Sequence, residues 1–189
     1  MSINLDALLR RWKPDKRTAR LRPRPAGELV GADAISGVRR LALLPDTTVY
    51  IHNAAGRLPP EVEVLLDDAL QWHCSVCLAE LATGIANHDP AAPDWRRVRD
   101  TYVELFRAVP DGRVLTPDAD VWLSAGTLAG TLARTQGLQR HQRKELLNDA
   151  LIYLSAAKAG LPVLTANRGE FDLLQQLAGT GAFIHYAAV

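Results

Sequence analysis

The sequence predicts an α/β protein with a mostly parallel sheet and helices on both of its faces. Short apolar runs of strand length, at residues 41–44, 163–165 and 182–186, alternate with longer stretches of helical period, as βαβ units require. The first two runs stop at polar groups, Asp46-Thr47-Thr48 and Asn167-Arg168-Gly169-Glu170. Open α/β sheets place their ligands at such strand ends. A hydrophobic content of 48% with 23% charged residues over 189 positions suits one globular domain with an ordinary core.

Residues 3–13 predict a short amphipathic helix with Leu5, Leu8, Leu9 and Trp12 on one side, ended by Pro14. The stretch from Arg17 to Pro25 reads as an extended basic linker, because each Pro disfavours helix in its predecessor. Residues 1–40 hold ten Lys/Arg against four Asp/Glu, a net of +6; the remaining 149 hold twelve against seventeen, a net of −5. A basic arm on an acidic body suits a polyanion, a partner protein or the body itself. The chain is therefore divided into a basic N-terminal extension, 1–40, and a main domain, 41–189.

The strand at 41–44 delivers Asp46 at its end. Asp is also a good N-cap, and that simpler role stands beside the ligand role. A loop through Gly56-Arg57-Leu58-Pro59 leads to a helix from Pro60, with Glu61 and Glu63 near its positive end and Val62, Leu65, Leu66, Ala69 and Leu70 inward. Trp72 to Cys74 is a strand candidate. Ser75 can cap the next helix, which runs to about Asn87 and carries Glu80 within a small, apolar stretch. Asp94 to Val109 predicts a charged helix with Trp95, Val98, Tyr102, Leu105 and Phe106 inward, and Arg113 to Leu115 another strand. Pro117 opens a helix through Val121, Trp122, Ala125, Leu128, Ala129 and Leu132, ended by Gly137.

After the basic stretch from Gln139 to Lys144, a strongly apolar helix contains Asp149, with Leu146, Ile152 and Tyr153 at helical spacing around it. A buried carboxylate without a partner is costly, so Asp149 asks for a cation or strong hydrogen bonds. Gly160-Leu161-Pro162 ends that helix; a strand at 163–165, a helix at 173–178 and a last strand close the chain. Cys74 and Cys77 have redox spacing, but zinc would need four ligands, and the favoured reading is a pair of core residues. No apolar run approaches the roughly 18 residues of a membrane span, and Leu8-Leu9 are followed at once by Arg10, Arg11 and Lys13, unlike a secretory signal. The expected address is cytoplasmic, with no membrane contact.

Two strand ends and two helices can bring Asp46, Glu80, Asp149 and Asn167 or Glu170 to one edge of the sheet. Three or four oxygen donors with little His or Cys suit a hard cation, Mg²⁺ or Mn²⁺. Like charges gathered there are costly without one. The usual task of such a site is phosphodiester cleavage by metal-activated water.

The stretches Leu-Pro-Asp46-Thr-Thr-Val-Tyr-Ile, Ser75-Val-Cys-Leu-Ala-Glu80-Leu, Asn148-Asp149-Ala-Leu-Ile and Leu-Thr165-Ala-Asn167-Arg-Gly-Glu170-Phe171 resemble the PIN domain, and within it the VapC-type toxins of bacterial toxin–antitoxin pairs. The resemblance runs from about residue 40 to 189, with four motifs in order. It implies a three-layer α/β/α sandwich and a magnesium-dependent ribonuclease whose metal-binding acids are Asp46, Glu80 and Asp149. Thr47 would support the loop of the first acid, with Thr165 beside it in the last motif. The family's fourth acid falls at Asn167 or near Glu170: Asn167 can coordinate or orient water through its amide oxygen, and Glu170 can supply the charge. Thr48 stands where many toxins carry Asn. The resemblance further implies an RNA substrate, an antitoxin partner and a homodimer, with Arg57, Arg140, Arg143, Lys144 and Arg168 as candidate RNA contacts. Two rival readings differ in class. An aspartyl phosphatase wants a second Asp where Thr48 stands, which argues against it. A non-catalytic PIN-like module that binds RNA or protein has Asn167 in its favour and three retained acids against it.

Overall fold

Four parallel strands define the architecture in the computed structural model, which describes residues 4–35 and 37–189. Helix α1 spans Leu5–Trp12, and the rest of the arm's described residues are irregular but for three 3-10 turns and a bridge at Gly31. Strand β1 (Ala42–Pro45) leads into helices α2 (Thr47–Ala54) and α3 (Pro60–Asp68). Two short strands follow, β2 (Leu70–Gln71) and β3 (His73–Cys74), then helices α4 (Ser75–Ala86) and α5 (Trp95–Ala108) and strand β4 (Val114–Leu115). Helices α6 (Ala119–Gln136) and α7 (Arg140–Lys158), strand β5 (Pro162–Thr165), helix α8 (Arg168–Ala178) and strand β6 (Ala182–His185) complete the order. The main sheet runs β2-β1-β5-β6, all parallel, and β3 pairs β4 in a separate parallel pair.

The layers follow from strand alternation, since successive side chains point to opposite faces. Leu44, Val163 and Phe183 face one core with α4, α6, α7 and α8. Leu43, Leu164 and Ile184 face the other with Val49 of α2, Val62 and Leu65 of α3, and Ala32 of the arm. The result is the expected three-layer α/β/α sandwich. Parallel pairing places the C-terminal ends of β1 and β5 side by side, with Leu44 opposite Val163 and Pro45 opposite Leu164. Asp46 and Asn167 thereby meet, though 121 positions apart in the sequence.

The arm is packed onto the body. Leu8 is buried, and Trp12, Leu21 and Leu29 lie against the larger core. Arg11 holds Asp120 of α6 with two hydrogen bonds of 3.0 Å. Arg24 holds the completely buried Asp172 of α8 through its backbone N–H (2.7 Å) and its guanidinium (Nε 2.7 Å). Gly31 bridges His185 in parallel, and Ala32 N donates to His185 O at 2.9 Å, so the arm ends against the free edge of β6.

Several elements differ from the sequence expectation. Leu70 leaves the α3 face to pair with Ala42 as part of β2, and Trp72 lies between β2 and β3. Cys74, not Ser75, occupies the N-cap of α4, without a side-chain cap bond. Of the two readings open for 139–144, loop or helix start, the structure takes the second: it begins α7, closed by a capping box between Gln139 and Gln142. Helix α8 begins at Arg168 because Asn167 caps it, five residues before the expected start. Leu5 and Leu9 are exposed, as is Phe106, on an α5 that buries none of its side chains completely. Trp122 is 48% exposed. The expected helix start at residue 3 lies outside the described residues. Both cysteines are free and buried, as core residues should be.

Candidate active site

The site is built outward from Asp46. Its backbone N–H donates to Leu164 O at 2.9 Å, the last rung between β1 and β5. The next residues turn into α2, for which Asp46 is the N-cap, with Oδ1 accepting from Thr47 N at 2.7 Å. Capping occupies one carboxylate oxygen. The other accepts from the hydroxyls of Thr48 (2.9 Å) and Thr165 (2.8 Å). The capping and site roles of Asp46 are therefore compatible: a carboxylate offers about four lone-pair positions, and these partners take three.

Thr48 and Thr165 also tie the two strand ends together. Ala166 N donates to Thr48 Oγ1 at 3.2 Å, and Asn167 N donates to Thr165 Oγ1 at 2.9 Å. Thr47 donates to Glu80 Oε2 of α4 at 2.5 Å, while Asn148 of α7 donates to Glu80 Oε1 at 2.7 Å. The amide nitrogen of Asn167 donates to Asp149 Oδ2 at 3.0 Å and to Glu170, while its Oδ1 caps α8 at Glu170 N, 3.5 Å away. One hydrogen-bonded assembly thus joins β1, β5, α2, α4, α7 and α8. Asn148, Glu80's amide partner, was not singled out from sequence; its place beside Asp149 was the only signal for it.

The electrostatics are those of crowded acids. Asp46 is 2% exposed. Burial pushes its carboxyl up, the hydrogen bonds from Thr165, Thr48 and Thr47 pull it down, and the charge of Glu80 pushes it up again. Asp149 is held well above the ordinary carboxylate range, first by burial, then by its hydrogen bond with Glu170, then by the charges of Asp46, Glu170 and Glu80. Among the described residues, no Lys, Arg or His pairs with any of these four acids. No group of three His, Cys, Asp or Glu side chains there is gathered tightly enough to hold a metal ion. The donors are nonetheless all oxygen, with surplus negative charge, which is the chemistry of a hard divalent cation.

The candidate RNA contacts scatter. Lys144 shares a groove with Glu80 and Asn148. Arg140 and Arg168 are exposed at the first residues of α7 and α8. Arg143 donates to Leu138 O at 3.2 Å, closing the turn between α6 and α7. Arg57 lies past the far end of α2, about 12 Å of helix from Asp46. Arg24, one of the arginines of the basic linker, is engaged by Asp172.

No family model and no curated protein matches the sequence. Its fold does match solved structures. A chain of the VapBC-5 toxin–antitoxin system from Mycobacterium tuberculosis is 24% identical, with 77% of this chain and 98% of that chain covered, at a TM-score of 0.50. A chain of FitAcB from Neisseria gonorrhoeae is 20% identical, with 76% and 96% covered, at 0.51. A chain of VapBC2 from Rickettsia felis, bound to a DNA fragment from its promoter, is 18% identical, with 69% and 91% covered, at 0.50. The likeness is one of fold, and it spans nearly the whole of each of those chains.

Proposed function

We propose that this chain is a Mg²⁺- or Mn²⁺-dependent endoribonuclease, the toxin of a toxin–antitoxin pair. One observation carries the reading: Asp46, Glu80, Asp149 and Glu170, drawn from four separate segments, are held around one sheet edge with no cationic side chain among the described residues paired to any of them. Burying like charges together destabilises a fold unless a cation or protons compensate. Asp46, Glu80 and Asp149 would hold the ion by drawing closer together than they stand in this structure, with Glu170 supplying the charge that Asn167 lacks. The ion would activate water and neutralise charge on the leaving oxygen of a phosphodiester.

The chain's own residues do the positioning. Thr165 and Thr48 fix one oxygen of Asp46, and the α2 N-terminus fixes the other. Thr47 and Asn148 hold both oxygens of Glu80. Asn167, with its NH₂ toward Asp149 and Glu170, keeps those two acids together. Lys144, Arg140 and Arg168 would meet the phosphates of the RNA backbone. The similar folds occur in two-component toxin–antitoxin complexes, and by that analogy this chain would be neutralised by an antitoxin and form homodimers. No helix among the described residues is long and apolar enough to cross a membrane.

A second reading has one observation in its favour. Asn167 presents an N–H donor, not its amide oxygen, to the acids, and such an arrangement suits a module that binds RNA or protein without cleaving. Incubating a mixed pool of structured RNA with the protein and Mg²⁺ or Mn²⁺ separates the two. Metal-dependent cleavage that falls at least about 100-fold in both Asp46→Asn and Asp149→Asn supports the nuclease. Intact RNA with undiminished binding in all three proteins overturns it in favour of the module.

A further inference from the structure

Trp122 stands in the first turns of α6 with nearly half of its surface exposed. An indole so placed contributes little to the core and needs another account. It lines the same groove as Glu80 and Asn148, a cavity of about 650 Å³ floored by α4 and closed by the start of α7. Lys144 stands on the α7 side, and among the described residues it pairs with no carboxylate. Glu145 adds an acceptor. The groove therefore brings an aromatic face, a cation and a hydrogen-bond acceptor beside Glu80, one member of the acid cluster.

We propose that this groove seats one unpaired nucleotide of a single-stranded RNA, its base stacked on Trp122 and its phosphate on Lys144, next to the bond presented to the acids. The inference rests on the nuclease reading and adds to it a subsite and a preference for unpaired substrate. A base can offer its face to an indole only when it is out of a duplex, so stacking platforms select single strands while tolerating any sequence. Aromatic and cation must lie on different walls of one groove, because base and phosphate of a nucleotide diverge from the ribose. Trp122 on α6 and Lys144 on α7 meet that condition. A cavity of this volume is ample for a nucleotide.

The test is binding of the full chain to a fluorescent ten-nucleotide oligouridylate and to a duplex of equal length, with Ca²⁺ in place of Mg²⁺ to hold back cleavage. Trp122→Ala is expected to weaken single-strand binding by roughly tenfold, the effect of losing one base–aromatic stack, and to leave duplex binding unchanged. Trp122→Phe should restore most of the affinity. Replacing the stacked base by an abasic site should erase the difference between wild type and Trp122→Ala. Because the side chain is half exposed, these variants should keep the wild-type melting temperature, which checks folding. Equal affinity of wild type and Trp122→Ala for the oligouridylate overturns this inference and leaves the nuclease reading standing. Equal affinity accompanied by a change in self-association on gel filtration reassigns the face to a second copy of the chain. No binding by the wild type to either RNA, with no cleavage under Mg²⁺, overturns both readings.

Discussion

Two carboxylates of this molecule are buried in opposite ways. Asp172, completely buried in α8, is met by Arg24 and by Gln176, whose amide donates to it at 3.0 Å. Asp149, on the neighbouring helix α7, faces Asn167 and further acids, and its carboxyl is driven well above its ordinary range. The same fold thus supplies a cation to one acid and withholds it from the other. A chain with 22 Lys/Arg does not lack cations to place. The difference marks Asp172 as structural, a clamp for the arm, and supports reading Asp149 and its neighbours as acids kept open for a ligand.

The comparison breaks most visibly at Arg24. Arg24→Met leaves Asp172 buried with only neutral donors, and removing one partner of a buried pair typically costs about 3 kcal/mol or more. Because the Arg24 side chain is itself about one-third exposed, about 2–3 kcal/mol is expected here, read as a lowered urea midpoint with unchanged slope. Arg24→Met combined with Asp172→Asn should recover most of that loss. If the single variant is as stable as wild type, Asp172 does not depend on its cation and the contrast with Asp149 collapses.

The acids of the site should respond with the opposite sign. Asp149→Asn removes a charge that burial and three other carboxylates disfavour, so the metal-free protein should gain on the order of 1 kcal/mol. Mn²⁺ at a hundred times its dissociation constant is expected to stabilise the wild type by about 2.7 kcal/mol, read as a raised melting temperature, and the same variant should lose that gain. Destabilisation of the metal-free protein by Asp149→Asn would place Asp149 with Asp172 as a structural acid.

The pH dependence sharpens the same point. Asp46 and Asp149 carry raised carboxyl values in the fold, so between the unfolded value near 3.9 and the raised one the native state holds protons that the unfolded chain has lost. Stability is then full below the unfolded value and falls as pH rises through the window, by up to about 1.4 kcal/mol per pH unit for each proton. His52 and His73, whose values burial lowers, act in the other direction, losing stability as pH falls. The difference between wild type and Asp149→Asn across pH 4–8 in EDTA cancels the histidines. It should slope downward with pH, and saturating Mn²⁺ should flatten it. A flat difference in EDTA would show that Asp149 titrates normally.

Much of this was legible in the sequence where a local pattern changes abruptly. Asp46 ends an apolar run, Asp149 interrupts another, and the burial of their surroundings could be read from neighbours at known spacing. What could not be read lacked such a phase. Strand β2 is two residues long and shows no period. Helix α6 is apolar or small around most of its circumference, so nothing in the sequence fixes which way Trp122 faces. Asn148 looks like any polar residue until Glu80, 68 positions earlier, comes within reach. The pairing of Arg24 with Asp172 spans 148 positions, and a row of arginines between prolines reads equally well as a polyanion track.

The smallest effect comes from a second arginine by which the arm meets the body. Arg11 makes two 3.0 Å hydrogen bonds to Asp120, geometry as good as that of Arg24, yet its side chain is 51% exposed and its partner's 31%. Solvent screens such a pair, and ordering the long side chain offsets part of the attraction. Asp120 regains water when Arg11 is removed, whereas Asp172 cannot. Arg11→Ala is therefore expected to cost less than about 1 kcal/mol, and the loss should shrink further in 0.5 M salt, since exposed charges are screened over a few ångströms there. The Arg24→Met loss should persist under the same salt. Equal losses at the two arginines in the same urea titration would mean that the arm is held by its fit to the body as a whole, and that burial of the acid does not distinguish its two clamps.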